Sequence, residues 1–131
     1  MRAKGRWQVQ RAKTETPLRR IALTRDSVCM ADDVDAPHDG IVEVAEDASL
    51  LDLAHAILRA PRWLAGVMGG ATWYIQHDGA AVVFAERLLR NVVVRVGDVD
   101  RPVGPLTAIH VSYALQEAPR SVAAKLQAAM G

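Results

Sequence analysis

The sequence predicts an α+β fold, a single mixed or antiparallel sheet of five to six strands with two helices. Three observations carry that prediction. Asp78-Gly79 lies between two runs of strand-forming residues, ATWYIQH and AAVVFAE. Several short segments alternate apolar and polar residues with a period of two, and two stretches, 50–58 and 119–130, repeat apolar residues at helical spacing.

The hairpin has the most specific chemistry. Asp-Gly between strands is the sequence of a two-residue type I′ turn, which needs positive φ at both central positions; glycine supplies this freely and aspartate at modest cost. Pairing outward from the turn sets His77 opposite Ala80, Ile75 opposite Val82 and Trp73 opposite Phe84, with Tyr74 opposite Val83 on the other face. The Trp73, Ile75, Val82, Phe84 face is expected in the core. Tyr74 and Val83 make the second face partly apolar, so that face is expected either beneath a helix or at a partner.

Taken in order, residues 1–17 show neither period and end at Pro17, so they form a basic, mostly irregular extension, followed by a single domain over 18–131. Arg19 to Ser27 alternates and reads as the first strand; Ile41 to Glu46 is the second, antiparallel to it. Between them, VCMADDVDAPHDG is an acidic loop closed by Pro37 and Gly40. Asp47 and Ser49 both offer a cap to a helix with Leu50, Leu53, Ala54, Ile57 and Leu58 on one face and Asp52, His55 and Arg59 on the other. Pro61 disfavours helical geometry at Ala60 and stops it there. Trp63 to Val67 is expected as a short strand, Val92 to Val96 as another, and Ile109, Val111, Tyr113 and Leu115 as the buried face of the last. Pro119 opens a terminal helix striped by Val122, Leu126, Ala129 and Met130.

Two strands, a helix and then more strands resembles the β-grasp arrangement over roughly residues 19 to 115. The resemblance implies an adaptor, a carrier or an enzyme-associated domain, and the terminal helix ending in Met130-Gly131 argues against a carrier activated at its carboxyl end. Arg25-Asp26-Ser27-Val28 with Asp32-Asp33, Ala36-Pro37-His38 and Gly69-Gly70-Ala71-Thr72-Trp73 is similar to a group of short bacterial proteins with no known activity, and this carries over no site.

The chain of 131 residues has a net charge of only +1, but the charge is unevenly placed. Residues 1–20 hold Arg2, Lys4, Arg6, Arg11, Lys13, Arg19 and Arg20 against Glu15 alone. Such asymmetry fits a nucleic-acid arm, a solvated extension, or a tail folded onto its own acidic body. Trp7 in that tail is expected to pack on the body or on a partner. Half the residues are hydrophobic, which excludes wholesale disorder, and no apolar run approaches the roughly 20 residues of a membrane helix. A single cysteine, Cys29, excludes an internal disulfide and a multi-cysteine zinc site. With no secretory pattern at the amino terminus, the expected location is the cytoplasm, and the arginine, alanine and valine bias suits a GC-rich bacterium.

The densest potential ligand set is the loop with Cys29, Asp32, Asp33, Asp35, His38 and Asp39. Crowded carboxylates repel one another, and a divalent cation or a basic partner relieves that. An EF-hand does not fit, because a loop starting at Asp33 would put Pro37 at the fifth position and Val44 at the position of the bidentate glutamate. A solvated loop using its Asp side chains on its own backbone is the plainer reading. Asp52 with His55 offers an acid–base pair that more often is a surface ion pair. His77 and His110 read as solvated, Ser27 and Ser112 lack a nucleophile-elbow setting, and Gly66, Gly69 and Gly70 form no phosphate loop.

The leading expectation is therefore a small non-catalytic protein-binding domain, an adaptor, regulator or accessory factor that meets another protein or its own copy through Trp7, Tyr74 and Val83. The alternative is a nucleic-acid-associated protein using the tail bases. Third stands a metal-dependent enzyme built on Asp32, Asp33, Asp35, His38 and Asp39. No dedicated cofactor is expected beyond that divalent metal, and no membrane partner.

Overall fold

The computed structural model describes residues 17–27, 39–60, 64, 71–87 and 90–130. In chain order these form β1 (Leu18–Arg25), β2 (Asp39–Ala45), α1 (Leu50–Arg59), β3 (Thr72–His77), β4 (Ala80–Ala85), β5 (Val92–Val96), β6 (Ala108–Tyr113) and α2 (Pro119–Met130). One six-stranded mixed sheet runs β2-β1-β6-β3-β4-β5. Its β1–β6 pair is parallel and the other pairs are antiparallel.

The turn chemistry sets the register as expected. Asp78 and Gly79 both have positive φ, at 52° and 78°, and Trp73 pairs with Phe84, Ile75 with Val82 and Tyr74 with Val83. The turn is also held from outside. Arg101 donates to the Asp78 carbonyl and carboxylate, both at 3.2 Å, and Gly97 passes so close that a Cβ there would lie 3.0 Å from the Gly79 carbonyl oxygen. With φ at 76°, Gly97 meets two demands that a side chain would violate.

α1 begins at a capping box: the Ser49 hydroxyl accepts from Asp52 N–H at 3.1 Å, and the Asp52 carboxylate accepts from Ser49 N–H at 3.0 Å. Such a cap contributes about 1 kcal/mol. A further first-turn donor, Leu51 N–H, reaches the Val99 carbonyl at 3.1 Å. The helix then buries Leu50, Leu53, Ala54, Ile57 and Leu58 against Ile21, Leu23, Val42, Trp73, Ile75, Val82, Phe84 and Val111. Inside this layer the guanidinium of buried Arg25 lies 5.9 Å from the centre of the Trp73 ring, whose other ring neighbour is Tyr113 at 4.9 Å.

The second face of the hairpin is closed by α2. Ala81 and Val83, both 0 % exposed, and Val96 pack with Val122 and Ala123, and Tyr74, Val94, Leu126 and Met130 border this smaller cluster. Thr72 anchors the approach to α2: its hydroxyl donates to the Glu117 carbonyl at 2.6 Å, and its backbone pairs with Ala114 N–H and the Leu115 carbonyl.

Three expectations change at the edges of elements. β1 stops at Arg25 rather than Ser27, and the last strand stops at Tyr113. Leu115 is exposed with φ at 57°, because the chain turns there to deliver α2. Ala129 is exposed and Ala123 is the buried alanine of α2, since only the first two turns bear fully on β4 and β5. The Trp63 to Val67 strand lies outside the described residues except for buried Leu64, which belongs to no strand.

Candidate functional site

Alternation decides which side chains of β1, β2 and β6 turn away from α1. On β1 these are Leu18, Arg20, Ala22 and Thr24; on β2 they are Asp39, Ile41 and Glu43; on β6 they are Ala108, His110 and Ser112. α2 packs on β4 and β5, and among the described residues no helix covers this half of the outer face. Ile41 is 63 % exposed and Leu18 61 % exposed, whereas inward Ile21 and Val42 are buried. The register places Ala22 between Ile41 and Ala108, so a small apolar row crosses three strands. Arg20 and Glu43 pair at 3.3 Å on one side of the row.

On the other side lies a polar relay. Thr24 Oγ1 is 2.7 Å from His110 Nδ1, and His110 Nε2 is 2.6 Å from Asp26 Oδ1. The second oxygen of Asp26 accepts the Tyr113 N–H at 2.8 Å. Partial burial alone would raise the Asp26 carboxyl, but the Tyr113 N–H, the hydrogen bond with His110 and the imidazole charge outweigh it and hold Asp26 below the ordinary carboxylate value.

β2 is also an edge strand, and among the described residues no strand pairs with its far side. A cleft of about 410 Å³ runs there between the edge and the polar side of α1, lined by Leu18, Val44, Ala48, Asp52, His55 and Arg59, with Glu43 at its border. Its charges are unequally committed. Glu43 is paired with Arg20 and the Asp52 carboxylate closes the capping box, whereas Arg59 makes no ion pair among the described residues. The Asp52–His55 pairing expected from the helix spacing gives way to the cap, because the cap uses the carboxylate at the helix start.

No protein-family model, no curated protein and no solved structure matches this chain. The residues themselves therefore carry the functional reading. Of the expected contact residues, Val83 offers no surface because α2 lies over it, Tyr74 keeps part of its surface, and Trp7 lies outside the described residues. Of the seven tail bases, Arg2, Lys4, Arg6, Arg11 and Lys13 lie outside them too. Arg19 turns inward and donates to the Gly104 carbonyl, its two other guanidinium nitrogens buried with no partner among the described residues, and Arg20 holds Glu43. Neither is posed as a free phosphate ligand. In the acidic loop Asp32, Asp33, Asp35 and His38 lie outside the described residues; Asp39 begins β2 opposite Thr24. Among the described residues no three His, Cys, Asp or Glu side chains gather as a metal site, and no helix is long and apolar enough to cross a membrane.

The relay leaves no local signal in the sequence. Asp26 and His110 are 84 positions apart, and only the parallel β1–β6 register, Thr24 beside His110, brings them together. Ile41 was more accessible to reasoning, as an aliphatic residue out of phase with buried Val42 and Val44 on the same strand.

Proposed function

We propose that the chain is a protein-binding domain that takes an extended, acidic segment of its partner along the free edge of β2, in the cleft beside α1. The carrying observation is that cleft, where an unpaired strand edge and Arg59 face the same space. An edge strand presents backbone N–H and C=O groups in the pattern another strand needs, and side-chain pockets beside it supply selectivity. Leu18, Val44 and Ala48 give the cleft its apolar floor. Because its carboxylates are already engaged, the uncommitted charge is positive, and an acidic segment complements it. The net acidity of the rest of the body matters less, since charges beyond roughly 8 Å are screened at physiological salt.

The strand order supports an adaptor-like reading as well. A parallel central pair, a hairpin on each side and α1 across one face resembles the β-grasp arrangement with β5 added at an edge. We place this activity in the bacterial cytoplasm, on the composition and the single cysteine.

A displayed library of extended peptides tests the proposal. Enrichment of acidic sequences by the native chain, reversed to basic sequences by Arg59→Glu, is the expected result. Equal enrichment by both chains would remove Arg59 and the cleft from the reading.

A further inference from the structure

The relay on the uncovered face does more than tie two strands together. We propose that Thr24 is an acyl-acceptor hydroxyl, activated by His110 and oriented by Asp26, that takes an acyl group from an activated ester or thioester. This inference is independent of the docking proposal for β2.

The direction of each hydrogen bond follows from the groups themselves. Ionised carboxylate only accepts, so the His110 nitrogen facing Asp26 at 2.6 Å, Nε2, must carry a hydrogen. A neutral imidazole has only one. In the neutral ring Nδ1 is then a bare lone pair, and at 2.7 Å it can accept the Thr24 hydroxyl, which is the form the proposal uses. That is the polarity a general base requires: nucleophile to base, base to an orienting carboxylate, each within hydrogen-bond reach. Asp26, held below the ordinary carboxylate value, is ionised at neutral pH like any aspartate.

The geometry is held by backbone rather than by flexible side chains. Thr24 and His110 are register partners on β1 and β6, and Asp26 is fixed by Tyr113 N–H to its carboxylate and by its own N–H to the Val111 carbonyl at 3.1 Å. Groups mounted on paired strands meet the positional tolerance that loops seldom do. The site is also reachable. Thr24 points to the half of the sheet that α2 leaves open, and the His110 side chain is 48 % exposed.

In the proposed step the Thr24 oxygen attacks the acyl carbon while its proton passes to His110 Nδ1. The tetrahedral adduct then expels the alkoxide, phenolate or thiolate, and the imidazole returns the proton to that leaving group. One O–C bond forms and one C–O or C–S bond breaks. The products are acylated Thr24 and the free alcohol, phenol or thiol, with no oxidant or reductant involved.

The full chain treated with p-nitrophenyl acetate and mapped by peptide mass spectrometry provides the test, with the exposed hydroxyls of Thr107 and Ser121 as internal references. One acetyl group should appear on Thr24 well before either reference. Thr24→Val should abolish it, Thr24→Ser should retain it, and His110→Gln should slow it on the order of a hundredfold, the scale of lost general-base assistance. Asp26→Asn should slow it by a smaller factor, because the ring is kept but its tautomer is no longer imposed. Labelling of Thr24 no faster than Thr107 and Ser121 would overturn the proposal. So would an undiminished rate in folded His110→Gln. Should that variant fail to fold, the comparison within the wild-type chain still decides.

Discussion

The two halves of the sheet are built from similar strands but are covered differently. β3, β4 and β5 carry α2 on their outer face, and Ala80 to Ala85 is buried at every position. β2, β1 and β6 have, among the described residues, a helix on one face only, and along each strand exposed outer residues alternate with more buried inner ones. The hairpin, with both faces apolar, reads as covered on both sides and is, by α1 on one face and α2 on the other. The other half has one apolar face and one largely exposed face, while each half ends in an edge strand, β2 or β5. Of the three large exposed aliphatic residues among the described ones, Ile41 and Leu18 lie on the open half and Leu115 lies in the turn before α2.

The largest expected effect tests the closed half. Trp73→Ala removes a 2 % exposed ring between Arg25 and Tyr113 and should destabilise the fold by about 3 to 5 kcal/mol in denaturant unfolding. Equal stability would mean that the register from Asp78-Gly79 does not place this ring in the core. Next in size, Val122→Asp puts a carboxylate into the contact between α2 and β4. It should cost on the order of 3 kcal/mol and raise amide exchange across β4 and β5 while leaving β1 and β2 protected. Uniform loss of protection would show that the halves do not unfold separately.

Much of this division is legible in the sequence, and the part that is not has a physical cause. The hairpin register comes from two turn residues, and Ser49, Asp52 and Pro61 bound α1 through local chemistry. Those are interactions within a few positions. Which part of the sheet α2 covers is a long-range matter, and the expectation of an open strip at Tyr74 and Val83 moved three strands away for that reason. The same holds for the relay. Asp26 reads as a loop residue and His110 as a solvated one until β6 is laid parallel to β1. Thr72, fully buried and bonded to Glu117, gives no sequence signal beyond being a strand-forming residue.

Smaller effects belong to the open half. Ile41→Glu and Arg59→Glu alter exposed side chains and should each change stability by no more than about 0.5 kcal/mol. A larger loss for Ile41→Glu would show that the uncovered face contributes to the fold. The smallest effect concerns pH. Because the folded state holds Asp26 below the ordinary carboxylate value, its ionised form adds stability above that value, and this is lost as pH falls through the depressed one. The stability difference between wild type and Asp26→Asn should therefore be present at neutral pH and shrink on acidification. A difference that stays constant down to the acid transition would contradict the linkage.

The open half is tested most directly by partner capture from native cells with three folded variants beside the wild-type chain. Ile41→Glu and Arg59→Glu should lose the captured protein, and Tyr74→Asp, placed on the half that α2 covers, should keep it. Retention by both β2-side variants, with loss in Tyr74→Asp, would contradict the assignment of recognition to β2 and return it to the hairpin.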